Sequence, residues 1–166
     1  HDVVVFDMGL RHSPEELGAM IDEFRPDVVA IHDDGFNYPT KMCLTAMREA
    51  CFRMITLAKE RGCRVTVNSS DSTDHSDDYL RQGADTIILG EGEATLRELV
   101  DRWSMNEEWQ NVPGIAFTYN GATHTTPKRA VLRDLDGLPL PAWDLIDVEP
   151  YRAIWMRSQG FFSFCL

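Results

Sequence analysis

The chain has 166 residues, 43% of them hydrophobic, and 16 Lys and Arg against 27 Asp and Glu give a formal net charge of −11. This composition suits a globular domain with an appendage, and the acidic balance, with no basic stripe, argues against a nucleic acid or anionic membrane partner. No apolar run approaches the roughly 18 residues of a membrane span, and no signal peptide is evident, so we expect no membrane span and a cytoplasmic location.

The first half of the chain alternates predicted strands and helices. A β-rich run at 2–7 is followed by Ser13, which can cap a helix that ends at about Phe24. The apolar run at 28–31 is typical of a strand buried on both faces of a parallel sheet. A long helix is predicted from about residue 39 to 61, because apolar residues recur there at three- and four-residue steps. We expect its methionine-rich stripe to pack on the sheet; the stripe comprises Met42, Ala46, Met47, Ala50, Met54, Ile55, Leu57 and Ala58.

Two more strands are predicted in the middle of the chain, at 64–68 and 86–89. Between them, 69–75 is a run of hydroxyl and acidic residues before a short predicted helix at 76–82. That run either contacts a ligand as a loop or caps the short helix, and both interpretations stay open. After the second of these strands, Gly90-Glu91-Gly92-Glu93 turns the chain into another helix, and its glycines allow a sharp turn and close approach of a ligand.

The pattern changes after this helix. Asn120-Gly121 lies between two β-rich runs, which is a strong signal for a two-residue hairpin. We expect this hairpin to extend the sheet in an antiparallel sense or to form a flap. The segment 133–145 is rich in proline and predicts an ordered linker. Because both ends of the chain are apolar and lack caps, we expect a fragment of a longer polypeptide.

This order of elements predicts an α/β fold with a mostly parallel sheet and flanking helices. In such a sheet the loops 32–38, 69–75 and 90–93 lie at one edge, outside the carboxyl ends of the strands. Ligands of open α/β sheets bind at this edge, so we expect the functional site there.

Several chemistries can be weighed against that site. A dinucleotide is disfavoured, because position 95 is Thr instead of a third glycine and two glutamates would face the pyrophosphate. General acid–base catalysis stays open as a minor alternative. Its candidate residues are His32, Asp33, Asp34, Asp71, Glu91 and Glu93. The histidine spacing does not favour zinc. The four cysteines are widely spaced without a Cys-x-x-Cys pair, which predicts buried free thiols.

Four stretches together resemble a known family. They are Arg-Pro-Asp-Val-Val-Ala-Ile at 25–31, the strand, Gly-Glu-Gly-Glu turn and helix at 83–99, Val-Pro-Gly-Ile at 112–115, and the Asp-Leu-Asp-Gly-Leu-Pro-Leu-Pro-Ala-Trp-Asp segment at 134–144. In this order they are similar to the N-terminal cobalamin-binding domain of cobalamin-dependent radical S-adenosylmethionine enzymes. The resemblance covers nearly the whole chain.

The resemblance implies a Rossmann-like domain of the cobalamin-binding type. It implies a division into a cofactor domain at 1–110, a hairpin extension at 111–130 and a linker at 131–166 that leads to a barrel domain. S-adenosylmethionine and a 4Fe–4S cluster would bind in that barrel, and the cobalamin would bind in this chain. The implied reaction is methyl transfer or a skeletal rearrangement on a biosynthetic intermediate. The residues expected to hold cobalamin are Asp33, Phe36, Asn37, Tyr38, Ser69, Ser70, Asp71, Thr73, Gly90, Glu91, Gly92 and Glu93.

The sequence departs from the family pattern in ways that qualify this expectation. The cysteine triad of the barrel is absent from the 166 residues, so the chain alone is not expected to perform radical chemistry. No Asp-x-His-x-x-Gly motif occurs, so we predict no histidine ligand below the cobalt. Ser69-Ser70 stands where other members often have two glycines. A cofactor-free docking or regulatory domain is therefore the alternative, and an independent α/β enzyme that uses Glu91 is a third hypothesis.

Overall fold

The computed structural model describes residues 1–33 and 42–162, apart from the side chain of Leu10. The chain divides into two compact units. The larger unit contains residues 11–132, and the smaller unit combines residues 1–10 with 133–166. The division expected from the sequence, at 110 and 130, stays a prediction.

The larger unit contains the alternating elements of the fold. In chain order they are α1 (Glu16–Phe24), β1 (Val28–His32), α2 (Leu44–Glu60), β2 (Arg64–Asn68), α3 (Ser70–Asp74), α4 (Ser76–Gln82), β3 (Thr86–Ile88), α5 (Glu93–Ser104), β4 (Ile115–Tyr119) and β5 (Ala122–Thr125). The start of α1 is tight, since the Ser13 hydroxyl accepts a hydrogen bond from the backbone of Glu15 at 3.2 Å. The helix itself therefore begins slightly later than Ser13 and Pro14 predict.

The five strands form one sheet in the order β1-β2-β3-β4-β5. β1, β2 and β3 are parallel, and the β4–β5 hairpin adds two antiparallel strands beside β3. The last residues of the parallel strands are aligned, because His32 lies opposite Asn68 and Asn68 lies opposite Ile88. The α/β, Rossmann-like prediction with an antiparallel hairpin extension is thus confirmed.

The predicted strand at 2–7 is wrong. The chain there has no regular secondary structure, and Val3, Val4 and Val5 are exposed. Branched residues favour a strand only where a neighbouring strand completes the hydrogen-bond ladder. The composition of this run therefore indicated a preference that its surroundings in the structure do not satisfy.

The long helix is confirmed over Leu44–Glu60, but the prediction that its methionine stripe packs on the sheet is only half right. Its fully buried residues all lie from Cys51 onward, at Cys51, Ile55, Leu57 and Ala58, whereas Met42 before the helix is 72% exposed. A 17-residue helix is about 25 Å long and a five-residue strand about 17 Å. Because the helix is longer than the strands, its first turns extend past the carboxyl edge of the described sheet.

The hairpin is closed as the sequence predicts. Asn120 and Gly121 both have positive φ angles, 51° and 78°, which a two-residue turn of this kind requires. Behind the hairpin, Ile88, Val112, Ile115 and Phe117 form a buried apolar cluster with Leu96 and Trp109 at its margin. This cluster anchors the antiparallel extension to β3 and α5.

The smaller unit contains one α-helix among its described residues, α6 (Glu149–Gln159). Tyr151 on this helix donates a hydrogen bond to Asp7 at 2.5 Å, and burial together with this bond raises the pKa of Tyr151 to about 12. The Tyr151 hydroxyl also lies too close to Gly9 for a Cβ to fit there, so this contact requires glycine at position 9. The segment predicted as a linker is thus partly helical.

None of the helices in residues 1–33 and 42–162 is long and apolar enough to cross a membrane. The cysteine prediction needs one correction. Cys51 and Cys63 are buried free thiols, whereas Cys43 is exposed at the start of α2. Its position just before the first turn of α2, which extends past the sheet, explains the difference. Cys165 lies outside the described residues.

Candidate functional site

The carboxyl ends of β1, β2 and β3 meet at the edge where the sequence places the site. Asn68, the last residue of β2, joins the three strands. Its amide nitrogen donates hydrogen bonds to the carbonyl oxygens of Ile88 and Gly90, each at 3.1 Å, and its side-chain oxygen lies 3.1 Å from Nδ1 of His32. One side chain thereby fixes the end of β1 relative to the turn that follows β3.

The two glycines of that turn are required for different physical reasons. Gly90 has a φ of 77° and no atom within 4 Å of a Cβ placed on it, so its requirement is backbone conformation. Gly92 has an ordinary φ, but a Cβ there would lie 3.0 Å from Oδ1 of Asn68. The lack of a side chain at Gly92 therefore leaves room for the Asn68 side chain at the edge of the sheet.

A cavity of about 230 Å³ lies beside this turn. Strand residues that alternate along the sheet share one face, and five of them line the cavity, with contributions from Ile31 and from α5. The described lining residues are Ala30, Ile31, His32, Thr66, Asn68, Ile88, Gly92, Glu93 and Leu96. Behind Thr66, the hydroxyl of Thr86 bonds that of Thr66 at 2.8 Å, so these buried polar groups satisfy each other. The cavity combines an apolar wall with a polar rim.

A second polar cluster lies beside the site, in the α3 region. Arg48 binds the carboxylate of Asp71 with two hydrogen bonds, at 2.7 and 2.5 Å, and the hydroxyl of Tyr79 donates to the same carboxylate at 2.6 Å. The hydrogen bonds from Arg48 lower the pKa of Asp71, although burial partly opposes them. Burial and the bond to Asp71 raise the pKa of Tyr79 far above its usual range. Asp71 is thus an ionised group whose partners come from the protein itself.

Residues 69–75, which the sequence predicts either as a ligand-contacting loop or as the cap of the helix at 76–82, are largely helical in the structure. Ser69 caps α3: its hydroxyl accepts from the backbone of Ser72 at 2.8 Å, while the Ser72 hydroxyl accepts from the backbone of Ser69 at 2.9 Å. The hydroxyl of Thr73 donates to the carbonyl of Ser69 at 2.9 Å. The physical reason is that closely spaced hydroxyls compete for backbone groups and form a capping box.

The remaining predicted residues fall into four groups. Gly90, Glu91, Gly92 and Glu93 lie at the carboxyl edge, and Glu93 lines the cavity. Asp33 follows β1 at the same edge, and its backbone N–H donates to the carbonyl of Asn68 at 3.2 Å. Ser70 is exposed next to them. Asp34, Phe36, Asn37 and Tyr38 lie outside the described residues.

Sequence reasoning missed most of the cavity lining. Asn68, Thr66, Ala30 and Leu96 were assigned only to strands or a helix, and His32 was considered only as an acid or base. They are brought together by the strand register, which aligns every second residue near the carboxyl ends of the parallel strands on one face and which the sequence does not define. Within residues 1–33 and 42–162, no three His, Cys, Asp or Glu side chains gather as a metal site.

The sequence of the chain has also been compared with those of known proteins. No family model matches the chain. Among curated proteins, it is similar to an uncharacterized methyltransferase of Pyrococcus horikoshii, with 28% identity over 175 aligned positions. The alignment covers 96% of this chain and 35% of the relative, so the chain spans about a third of that protein's length. The chain is therefore similar, along nearly all of its sequence, to one part of a protein named as a methyltransferase.

Proposed function

We propose that the chain is the cobalamin-binding part of a methyltransferase of the radical S-adenosylmethionine class. The observation that carries this proposal is the cavity at the carboxyl ends of three parallel strands, beside the Gly90-Glu91-Gly92 turn. The similarity to a protein named as a methyltransferase supports the reaction class. The resemblance of the sequence motifs supports the cofactor.

The described residues fit one part of such a cofactor. Cobalamin is large and its macrocycle is nearly flat, so it needs a low wall and an apolar surface with polar groups at the rim. Gly90 and Gly92 give the low wall, Ala30 and Leu96 give apolar surface, and His32 gives a polar rim. Sites for whole drug-sized ligands measure about 300–1,000 Å³. The cavity of about 230 Å³ would therefore hold one group of the cofactor, and the rest would lie over the open edge.

In this proposal the protein residues bind and orient the cofactor. Cobalamin, when bound, supplies a cobalt centre that can carry a methyl group. Asn68 would keep His32 and the turn at Gly90 in fixed positions beside the cavity. S-adenosylmethionine and a 4Fe–4S cluster would bind to a barrel domain of a longer protein, which would be the partner of this unit.

The test is cofactor retention by the full-length protein. After incubation with hydroxocobalamin and desalting, we expect a bound corrin absorption spectrum in the protein fraction. Ala30→Phe, which places an aromatic ring in the cavity from an exposed strand position, should abolish retention. Thr123→Phe, also at an exposed strand position but on β5, should not. Absence of corrin from the wild-type protein after desalting would contradict the proposal.

A second candidate function is a cofactor-free docking or regulatory domain. One observation favours it: the hydroxyls of Ser69, Ser72 and Thr73 and the carboxylate of Asp71 already bond groups of the protein. These groups therefore have less hydrogen-bonding capacity left for a cofactor than the sequence predicted. Loss of all corrin on desalting, from a wild-type protein whose circular dichroism shows that it is folded, would favour this candidate.

A further inference from the structure

The orientation of the Asn68 amide is determined by its partners. The nitrogen of a primary amide only donates, and the carbonyl oxygens of Ile88 and Gly90 only accept. Since both carbonyls lie 3.1 Å from Nδ2, this end of the amide is its nitrogen. The opposite end, Oδ1, is an acceptor and lies 3.1 Å from Nδ1 of His32.

This arrangement fixes the tautomer of His32. A hydrogen bond between an acceptor and an imidazole nitrogen requires the proton on that nitrogen, so Nδ1 of His32 donates to Asn68. In the neutral ring the other nitrogen, Nε2, then carries a lone pair. His32 is exposed and lines the cavity, so its ring offers an acceptor to a ligand there.

The charge of the cavity selects among ligands. Glu93 lines it with a carboxylate, and none of its described lining residues is Lys or Arg. A helix N-terminus such as that of α5 ordinarily attracts anions, but Glu93 places a negative charge in that first turn. A phosphate or carboxylate would meet this charge without a cationic partner among the described lining residues, whereas an uncharged donor would find acceptors there.

We infer that the cavity recognises an uncharged carboxamide, whose N–H groups donate to Nε2 of His32 and to the Glu93 carboxylate while its apolar body packs on Ala30 and Leu96. This inference rests on the proposed function for its ligand, because the rim of cobalamin carries carboxamides. The inference adds to the proposed function the chemical group that the cavity binds, a carboxamide, and the two residues that bind it, His32 and Glu93.

The first experiment compares hydroxocobalamin with its monocarboxylic acids, in which one carboxamide has been hydrolysed, by absorbance titration of the full-length protein. At least one isomer should bind about tenfold more weakly, because a carboxylate cannot donate and is repelled by Glu93. Glu93→Gln should narrow that difference. Equal affinities, within about twofold, of the wild-type protein for hydroxocobalamin and every isomer would overturn the inference.

The second experiment tests His32 with a matched control. His32→Phe keeps a ring but removes the acceptor, and should weaken hydroxocobalamin binding about tenfold. His124→Phe changes an exposed histidine on β5, outside the described cavity lining, and should leave affinity unchanged. Unchanged affinity in a folded His32→Phe protein would overturn the inference. If that variant does not fold, the wild-type comparison of isomers decides.

A third measurement separates the inference from the proposed function. Benzamide and benzoate differ in the group at issue and do not require a corrin site, so each is titrated while the side-chain amide signal of Asn68 is followed by NMR. Binding of benzamide, without binding of benzoate or hydroxocobalamin, would support the inference and contradict the cobalamin proposal. Binding of hydroxocobalamin with no preference for benzamide over benzoate would contradict the inference alone.

Discussion

Each of the two glycines in the turn after β3 is required for its own physical reason. Gly90 is required by its φ of 77°, and Gly92 by the Oδ1 atom of Asn68, 3.0 Å from the position of a Cβ. The sequence predicts glycines that let a ligand approach. In the structure the first neighbour of Gly92 is instead a side chain of the protein, which could not be predicted because the contact joins two strands that are distant in sequence.

Replacing Gly90 with alanine should therefore cost stability and disturb the site. A left-handed conformation costs an L-residue about 1–2 kcal/mol, and we expect about 1 kcal/mol lower free energy of unfolding for Gly90→Ala. Gly62→Ala is the matched control, since Gly62 has a φ of 80° with no atom within 4 Å of its Cβ position but follows α2 at the other end of β2.

Chemical denaturation should give similar losses for the two alanine variants. Retention of hydroxocobalamin should fall only for Gly90→Ala, since the Gly90 carbonyl receives a hydrogen bond from Asn68. Equal retention by both variants would show that the Gly90 turn does not shape the site.

At the scale of elements, the apolar runs predicted the strands that have sheet neighbours and failed where the ladder is missing. β1 and β2 were predicted almost to the residue, but the expectation that β1 is buried on both faces was wrong, because β1 is the end strand of the described sheet and only Ile31 in it is buried. The run at 2–7 is also rich in valine, but among the described residues no strand pairs with it. The α3 segment was missed as a helix because its residues lack an apolar stripe, and its capping box alone marks its start.

The contact of α3 and α4 with α2 depends on Asp71. Asp71→Asn removes the buried charge that binds the partly exposed Arg48, and we expect a loss of about 2 kcal/mol in the free energy of unfolding at pH 7. Asp78→Asn, which breaks an exposed pair with Arg81, should cost less than about 0.5 kcal/mol. Urea denaturation of the three proteins checks both values, and similar stabilities for the two variants would contradict this role of Asp71.

The carboxylate of Asp71 also predicts that the free energy of unfolding depends on pH. The pKa of Asp71 is lower in the folded protein than its usual value, so the folded state binds this proton less readily than the unfolded chain does. Its contribution is therefore complete above the unfolded pKa of about 4 and is lost as the pH falls through the lower, folded value. Denaturation curves between pH 7 and pH 3 should show a smaller acid-induced loss for Asp71→Asn than for the wild type.

At the scale of the whole molecule, the candidate cavity belongs entirely to the larger unit, residues 11–132. The sequence predicted which edge of the sheet carries the site, since this follows from the order of strands and helices alone. It could not predict which side chains face the cavity. That depends on the register of β1, β2 and β3, which the structure alone defines.

The distribution of thiols gives a test of the structure as a whole. Burial raises the pKa of Cys51 to about 12, with a contribution from the charges of Asp33 and Asp71, and burial also raises the pKa of Cys63. The thiolate is the reactive form, so iodoacetamide at pH 8 should modify the exposed Cys43 at least about tenfold faster than either buried thiol. Mass spectrometry of digested peptides measures the rates, and in guanidinium the three should become similar. Rapid native labelling of Cys51 would contradict the packing of α2.

The position of the cavity along the chain has a consequence for biogenesis. Its described lining residues all fall between Ala30 and Leu96, so a growing polypeptide contains them before the β4–β5 hairpin has been synthesised. Domains generally fold as units during synthesis, N-terminal units first, and a ligand that binds the folded state and not the unfolded chain lowers the free energy of the folded state. A cofactor that binds at this stage would act as a folding template, and its supply in the cell would set the yield of the protein as well as its activity.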